Sequence, residues 1–227
     1  MFSPHRILFQ DDHLLAVNKL CGELVVAGGE RLKSGHKADG ITLPLLDFLR
    51  KDYPGLKPLH RLDFETSGVV VFAKHGSIAE KVIATKFAGW VKTYVALLSG
   101  VLPKPSGEIS ARLPSRGGED IPAKTLYRVL QKFANSTLVE VTIEGGRHHQ
   151  IRRHFAFLRH PLVLDELYGH KGYNRVFSQE FRYHRFFLHA SVLEFPHPVT
   201  GEKMKIEAEM PRSFEDVLKK LRALSGK

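Results

Sequence analysis

A single cysteine, Cys21, is all that the 227-residue chain contains, so it can form no internal disulfide and no cysteine-based zinc site. Its apolar runs are short, far below the roughly 20 residues that a membrane-spanning helix needs. The opening Met1-Phe2-Ser3-Pro4-His5-Arg6 leads into no apolar stretch with a small-residue cleavage site, so no secretory signal is read. These absences point to a soluble, cytoplasmic protein. Acidic charge is also in deficit: 24 Asp and Glu against 34 Lys and Arg leave +10 before any of the 13 histidines is counted. Such a surplus speaks of partners rather than of fold. Nucleic acid is the first polyanion it suggests and an anionic membrane surface the second, with a merely basic protein as the plain alternative.

Two familiar site types are missing as well. His149 and His154 stand five apart with no acidic residue between them, unlike the two histidines of an HExxH helix, so no metal site is expected. The run Gly28-Gly29-Glu30-Arg31-Leu32-Lys33-Ser34-Gly35 has no glycine directly before Lys33 and no clear helix after it, so it is no phosphate-binding loop.

What is present is a chain 43% hydrophobic, enough for one sizeable core or two small ones. Neither a repeat nor a long linker divides it. The Gly-rich basic stretch 27–40 and the Pro- and Gly-containing stretch 103–122 read as surface loops. Short apolar runs at 7–9, 14–17, 69–73, 93–98, 138–143, 187–195 and 204–208 read as strands. Ser77-Ile78-Ala79-Glu80 has capping-box spacing and opens a helix predicted over 78–90, with a shorter one at 44–51. Ile151, Phe155 and Leu158 give 148–159 an apolar stripe, and Ser213 caps a last helix with Phe214, Val217, Leu218 and Leu221 facing inward. Strands outnumber helices without alternating with them, which predicts one mixed α/β or α+β domain over 1–227.

Three segments carry chemistry. In Leu59-His60-Arg61-Leu62-Asp63-Phe64-Glu65-Thr66-Ser67-Gly68 an acidic residue sits on a loop that the strand Val69-Val70-Val71-Phe72-Ala73 anchors. A rigid strand that places a loop carboxylate suits catalysis, although Asp and Thr-Ser-Gly are also ordinary turn formers. Gly145-Gly146-Arg147-His148-His149-Gln150-Ile151-Arg152-Arg153-His154 lies at a strand-to-helix junction. Its glycines, helix start and arginines favour anions, and an arginine there can hold a carboxylate ionised; a solvated basic helix face is the alternative. In Val91-Lys92-Thr93-Tyr94-Val95-Ala96, strand geometry puts Lys92, Tyr94 and Ala96 on one face. Tyr94 there is either a stacking platform for a base or a core aromatic.

Together these segments resemble the RluA-type pseudouridine synthases. His60-Arg61-Leu62-Asp63-x-x-Thr66-Ser67-Gly68 is similar to their H-R-L-D-x-x-T-S-G signature, Lys92-x-Tyr94-x-Ala96-Leu97 to K-x-Y-x-A, and Gly146-Arg147-x-His149-Gln150-Ile151-Arg152-x-His154 to G-R-x-H-Q-[IL]-R-x-H. Ile7-Leu8-Phe9-Gln10-Asp11, Val17-Asn18-Lys19, Ala123-Lys124-Thr125-x-Tyr127, Leu188-His189-Ala190 and His197-Pro198-x-Thr200-Gly201 extend the match, in the family's order, over about 7–210. The family usually has proline where this chain has Leu20, and glycine-aspartate where it has Leu164-Asp165. Neither position is expected to perform the chemistry, so both bear on loop shape.

The resemblance implies a pseudouridine-synthase-type fold: a central, largely antiparallel mixed sheet with flanking helices and a basic active-site cleft. It implies that Asp63 is the essential carboxylate in turning uridine into pseudouridine, in which the base leaves C1′, rotates and rejoins through C5. Arg152 would pair with Asp63 and keep it ionised, Tyr94 would pack against the uracil, and Arg61 would fill the stack vacated by the flipped base. His60, Lys92, Arg147, His149, Gln150 and Arg153 would serve RNA binding and base flipping. No cofactor, metal or membrane is implied, and a monomer is the default. No S4-type RNA-binding module fits before residue 7, so recognition is expected to rest on the catalytic domain. Arg152-Arg153-His154, Leu158-Arg159-His160-Pro161 and Tyr173-Asn174-Arg175 lean slightly toward transfer RNA, while the overall size and Asp52-Tyr53-Pro54 resemble relatives that act on ribosomal RNA. A non-catalytic RNA-binding protein would explain the charge but not Asp63 and Arg152. A nucleosidase would want a second carboxylate, for which Glu65 is the only nearby candidate.

Overall fold

A computed structural model describes residues 2–27, 43–114 and 118–225. By contact density the chain divides into two compact units, residues 1–90 with 190–209 and residues 91–189 with 210–227. The class is α+β, and all the strand pairings given below are antiparallel.

In the first unit β1 (Ile7–Gln10) pairs with β2 (Leu14–Lys19), and β2 pairs with β4 (Ser67–Ala73) from Leu14↔Ala73 to Lys19↔Gly68. The two-residue β3 (Lys57–Pro58) extends β4, and β9 (Leu188–Pro196), whose last seven residues belong to this unit, carries β10 (Lys203–Glu207). Every residue of β4 is buried, which is why its sequence reads as an unbroken apolar run rather than an alternating one. One face of this sheet meets α2 (Gly76–Ala84) in a core of Leu14, Ala16, Val69, Val71, Ile78, Val82, Trp90, Leu193 and Phe195. α1 (Leu45–Leu49) is a single turn and a half.

The second unit holds β5 (Val91–Ser99), β6 (Ser106–Pro114), β7 (Asp120–Lys132) and β8 (Ser136–Glu144), side by side in the order β5-β8-β7-β6. α3 (Gln150–Phe157), α4 (Lys171–Phe181) and α5 (Arg212–Ser225) complete it. β7 alternates cleanly, with Ala123, Thr125 and Tyr127 inward and Lys124, Leu126 and Arg128 outward.

Four expectations needed correction. Ser213 lies inside α5 (Arg212–Ser225) and not before it as a cap. The stretch 103–122 is no loop: most of it forms the β6–β7 hairpin, paired from Ser106↔Arg128 to Pro114↔Asp120. Only Ile109 and Leu113 of β6 are buried, so its apolar signal was too sparse to read. The helix predicted over 78–90 starts earlier, with His75 rather than Ser77 at its N-cap, and ends at Ala84, because Lys86 and Phe87 take positive φ and turn the Phe87 ring edge-on to Trp90. α4 was not foreseen; it buries only Phe177 and Phe181, a stripe of two. Of the stretch 27–40, all but Ala27 lies outside the described residues. No helix among the described residues is long and apolar enough to cross a membrane.

Candidate active site

In the first unit Asp63 opens a tight turn, with the Thr66 N–H donating to the Asp63 carbonyl at 3.1 Å. The turn-former reading is therefore right about the main chain, and the Asp63 side chain is half-buried. Beneath the turn lies Lys19, wholly buried at the end of β2. Its ammonium donates to the carbonyls of Leu20 (3.0 Å), Phe64 (3.0 Å) and Thr66 (2.6 Å), three acceptors for three N–H groups. Burial pushes the Lys19 amine down to about 8, against the attraction of Cys21, Glu23 and Asp63, so it is still mostly charged at neutral pH. The Gly22 N–H also reaches the Phe64 carbonyl, at 2.9 Å. The carboxylate thus stands on a turn fixed from below by a buried cation.

The flanks of the turn are equally determined. Gly68 has φ +114°, and a Cβ there would lie 2.1 Å from the Ala190 carbonyl oxygen, so only glycine lets β4 and β9 approach. Thr66 and Ser67 are buried. His60 accepts the Val71 N–H at its Nε2 (3.2 Å) and sets its ring edge-on to Trp90. These contacts make it a strut for the turn. Arg61, by contrast, is exposed.

In the second unit Arg152, 7% exposed, forks onto Asp165 through Nε–Oδ2 (2.6 Å) and Nη2–Oδ1 (2.9 Å). Asp165 is wholly buried, and its Oδ1 also accepts the N–H groups of Leu167 and Tyr168, both at 3.0 Å. A planar guanidinium held at two points is oriented as well as paired. Its faces are covered by Tyr168 (5.1 Å) and Phe186 (4.8 Å). Arg152 Nη1 lies 2.8 Å from His149 Nε2; since a guanidinium only donates, that nitrogen accepts. The proton of neutral His149 then sits on Nδ1 and is donated to the Tyr168 hydroxyl (3.1 Å), which also receives Arg153 Nε (3.0 Å).

The remaining expected residues divide between surface and interior. Arg147 is exposed, but its N–H is capped by Gln150 Oε1 at 3.0 Å, so that amide is not offered to an anion. Gln150 is used internally: its Nε2 donates to the Lys124 carbonyl (2.7 Å) and to Thr125 Oγ1 (3.1 Å). Thr125 Oγ1 in turn meets Nδ1 of wholly buried His154 (2.9 Å), whose pKa burial lowers. Lys92 lies under the Gly145-Gly146 turn, its Nζ 3.5 Å from where a Gly146 Cβ would be, and desolvation pushes its amine down to about 8. Tyr94 is 7% exposed on the same strand. A recess of about 580 Å³ opens beside Arg147, with Arg112, Lys124 and Glu144 on its walls.

Sequence reading passed over two supports of the arginine. Asp165 was assigned to loop shape, yet it holds Arg152 directly. Asn174 of α4 accepts the Leu164 N–H (2.9 Å) and donates to the Asp165 carbonyl (3.0 Å), fixing the turn that presents that carboxylate. The available signal was an aspartate in an apolar setting, Leu162-Val163-Leu164-Asp165, which a buried charge needs a partner to occupy. Among the described residues no group of three or more His, Cys, Asp or Glu is placed to hold a metal ion.

A carboxylate on a clamped turn, a forked arginine and the motifs that supply them match a known class. The sequence pattern of the RNA pseudouridylate synthase family covers residues 13–157, and the chain belongs to this family, in its RluA-type branch, whose members are isomerases. It is 35% identical to the ribosomal large subunit pseudouridine synthase C of Escherichia coli K12, over 95% of this chain and 70% of that one. The protein of the same name from Vibrio cholerae is 34% identical over 96% of this chain and 70% of its own length. Among solved structures, human RNA Pseudouridylate Synthase Domain Containing 4 superposes with a TM-score of 0.75 at 24% identity, covering 96% of this chain and 93% of that one. Human RNA Pseudouridylate Synthase Domain Containing 1 gives 0.69 at 24% identity, covering 96% and 94%. At that identity the likeness speaks for the fold.

Proposed function

We propose that the chain isomerises specific uridines to pseudouridine in structured RNA, with Asp63 as the essential carboxylate acting on a flipped-out uridine. The observation that carries this reading is the clamping of the Asp63 turn onto the buried Lys19 ammonium. A side chain on so fixed a turn loses little freedom when substrate arrives, which is what positioning catalysis requires. The reaction breaks the C1′–N1 bond and forms C1′–C5, while the C5 proton is lost and N1 regains one. Nothing is oxidised, so no cofactor enters this reading. Arg152 is the cationic partner of Asp63, Tyr94 packs against the uracil, and exposed Arg61 takes the place of the flipped base. Arg147, Arg153 and Lys92 supply positive charge toward the RNA. His60, His149 and Gln150, engaged with protein groups, act by positioning. The two units work as one catalytic domain, monomeric and cytoplasmic.

Both relatives named above are ribosomal large subunit synthases, so large-subunit ribosomal RNA is the first substrate to try, ahead of the transfer RNA toward which the sequence leans. The test is Asp63→Asn on in vitro transcripts of both RNAs, with pseudouridine mapped by chemical derivatisation and reverse transcription. Loss of product with RNA affinity retained, and with affinity falling steeply as salt rises, supports the reading. Undiminished isomerisation by the variant removes Asp63 from the mechanism.

A further inference from the structure

The second unit carries a recess that the chemistry above leaves unused. It has a volume of about 760 Å³, within the range of small-ligand sites, and lies between α4, the end of α5 and the ends of β5 and β8. On its floor Ser99 and Ser136 stand directly opposite each other across the β5–β8 ladder. They are 4% and 1% exposed, and the Ser99 hydroxyl has no hydrogen-bond partner among the described residues. Buried hydroxyls are ordinarily satisfied, and an unsatisfied one in the lining of a cavity suits a ligand with a hydrogen-bonding edge.

The walls and rim narrow the ligand class. Tyr173 stacks on Phe177 (5.9 Å between centroids, 27° between planes), and neighbouring Val176 is 57% exposed, so α4 offers a flat apolar wall. At the rim Arg159 is exposed on a left-handed backbone (φ +63°). His160 lies beside it, its Nδ1 3.0 Å from the Ser99 carbonyl, and its ring crosses Gly100, where a Cβ would come within 2.8 Å of that nitrogen. His170 adds a third basic group against one acid, Glu180. A flat wall, an unsatisfied hydroxyl and a basic rim match a nucleobase with its phosphate. A purely apolar peptide would leave the hydroxyl and the Arg159 guanidinium unused.

We propose that this recess receives one unpaired nucleotide of the RNA substrate, its base along Tyr173 and its phosphate at Arg159 and the two histidines. This rests on the reading that the substrate is RNA. The recess is tied to the catalytic arginine through one helix: Tyr173 faces the recess, and the next residue, Asn174, fixes the Asp165 turn that holds Arg152.

The experiment uses the whole chain and a fluorescein-labelled RNA stem–loop with an unpaired loop containing 4-thiouridine. Tyr173→Leu removes the ring, and Val176→Glu puts a negative charge at an exposed position where a folding defect is not expected. Each is expected to weaken stem–loop binding by about tenfold, the size of one lost base stack. Val199→Glu, an exposed valine of the first unit, adds the same charge as a control and is expected to leave affinity unchanged. Photo-cross-links of the wild type should fall on α4 peptides. Wild-type affinity in both α4 variants, with no cross-link to α4, overturns the proposal; so do variants that keep RNA affinity but change the oligomeric state, which would assign the recess to a second copy of the chain. A wild-type chain that neither binds nor isomerises any RNA removes the functional reading itself, an outcome distinct from either.

Discussion

Replacing Lys19 by methionine keeps the stem and removes the ammonium, which separates the cost of burying that charge from the hydrogen bonds it makes. Three bonds from a charged donor contribute about 1.5–3 kcal/mol each, so roughly 5–9 kcal/mol in gross terms. Against this stands burial, which lowers the amine from 10.5 to about 8 and so costs about 3 kcal/mol. The bonds win. Lys19→Met should therefore destabilise the first unit by about 2–6 kcal/mol, read as a lower urea midpoint at unchanged slope. The carbonyl of Phe64 keeps Gly22 as a partner while those of Leu20 and Thr66 lose their Lys19 bond, so the loosening should centre on the Asp63 turn and lower kcat in the folded fraction. The pH dependence has a definite sign. Because the native amine titrates lower than the unfolded one, the native state binds fewer protons between about 8 and 10.5, and stability gained from this group rises with pH across that window. Below about 8 both states are charged and the burial cost is constant. The wild type should show this rise relative to Lys19→Met. Equal urea midpoints, or stability curves that run parallel from pH 7 to 10.5, would refute the account of a buried, charge-bearing clamp.

Two further substitutions probe the other supports. Asp165→Asn leaves Arg152 buried with half its fork unmade; a loss of about 3–5 kcal/mol is expected in thermal or urea unfolding, with isomerisation falling more than stem–loop affinity. A variant as stable and active as the wild type would mean that Asp165 does not orient the arginine. Gly68→Ala drives a methyl into the Ala190 carbonyl at a positive φ, and should cost roughly 3 kcal/mol or more by circular dichroism melting; an unchanged melting temperature would show that β4 and β9 can separate there freely.

Much of this was legible in the chain because certain residues can play only one part. The run at 69–73 reads as a strand and is one, buried at every residue, while Thr66-Ser67-Gly68 read only as turn formers and Gly68 proves to be where the Ala190 carbonyl comes close. Asp63, Arg152 and Tyr94 were singled out by motif spacing; Asp63 lies on the turn before β4, Arg152 in α3 and Tyr94 in β5. What escaped notice was the ownership of contacts. Gln150 and His60 look like RNA-binding residues in sequence, yet Gln150 staples α3 to β7 and His60 completes a backbone ladder, since the polar atoms they satisfy lie far away along the chain. The β6–β7 hairpin escaped because an exposed hairpin needs few apolar residues, and α4 because Phe177 and Phe181 alone make too short a stripe.

The meeting of Gly68 with Ala190 also bears on the order in which the molecule can be assembled. β1, β2 and β4 are complete once residue 73 has been synthesised, but their neighbour β9 follows only after the whole 91–189 segment. The turn that presents Asp63 is flanked by a contact spanning that segment, and contacts so distant in sequence close late and slowly. A growing chain can therefore hold Asp63, Lys19 beneath it and the strands β1, β2 and β4 while still lacking the strand against which Gly68 packs. The final setting of the Asp63 turn should be one of the late events of folding, waiting on β9.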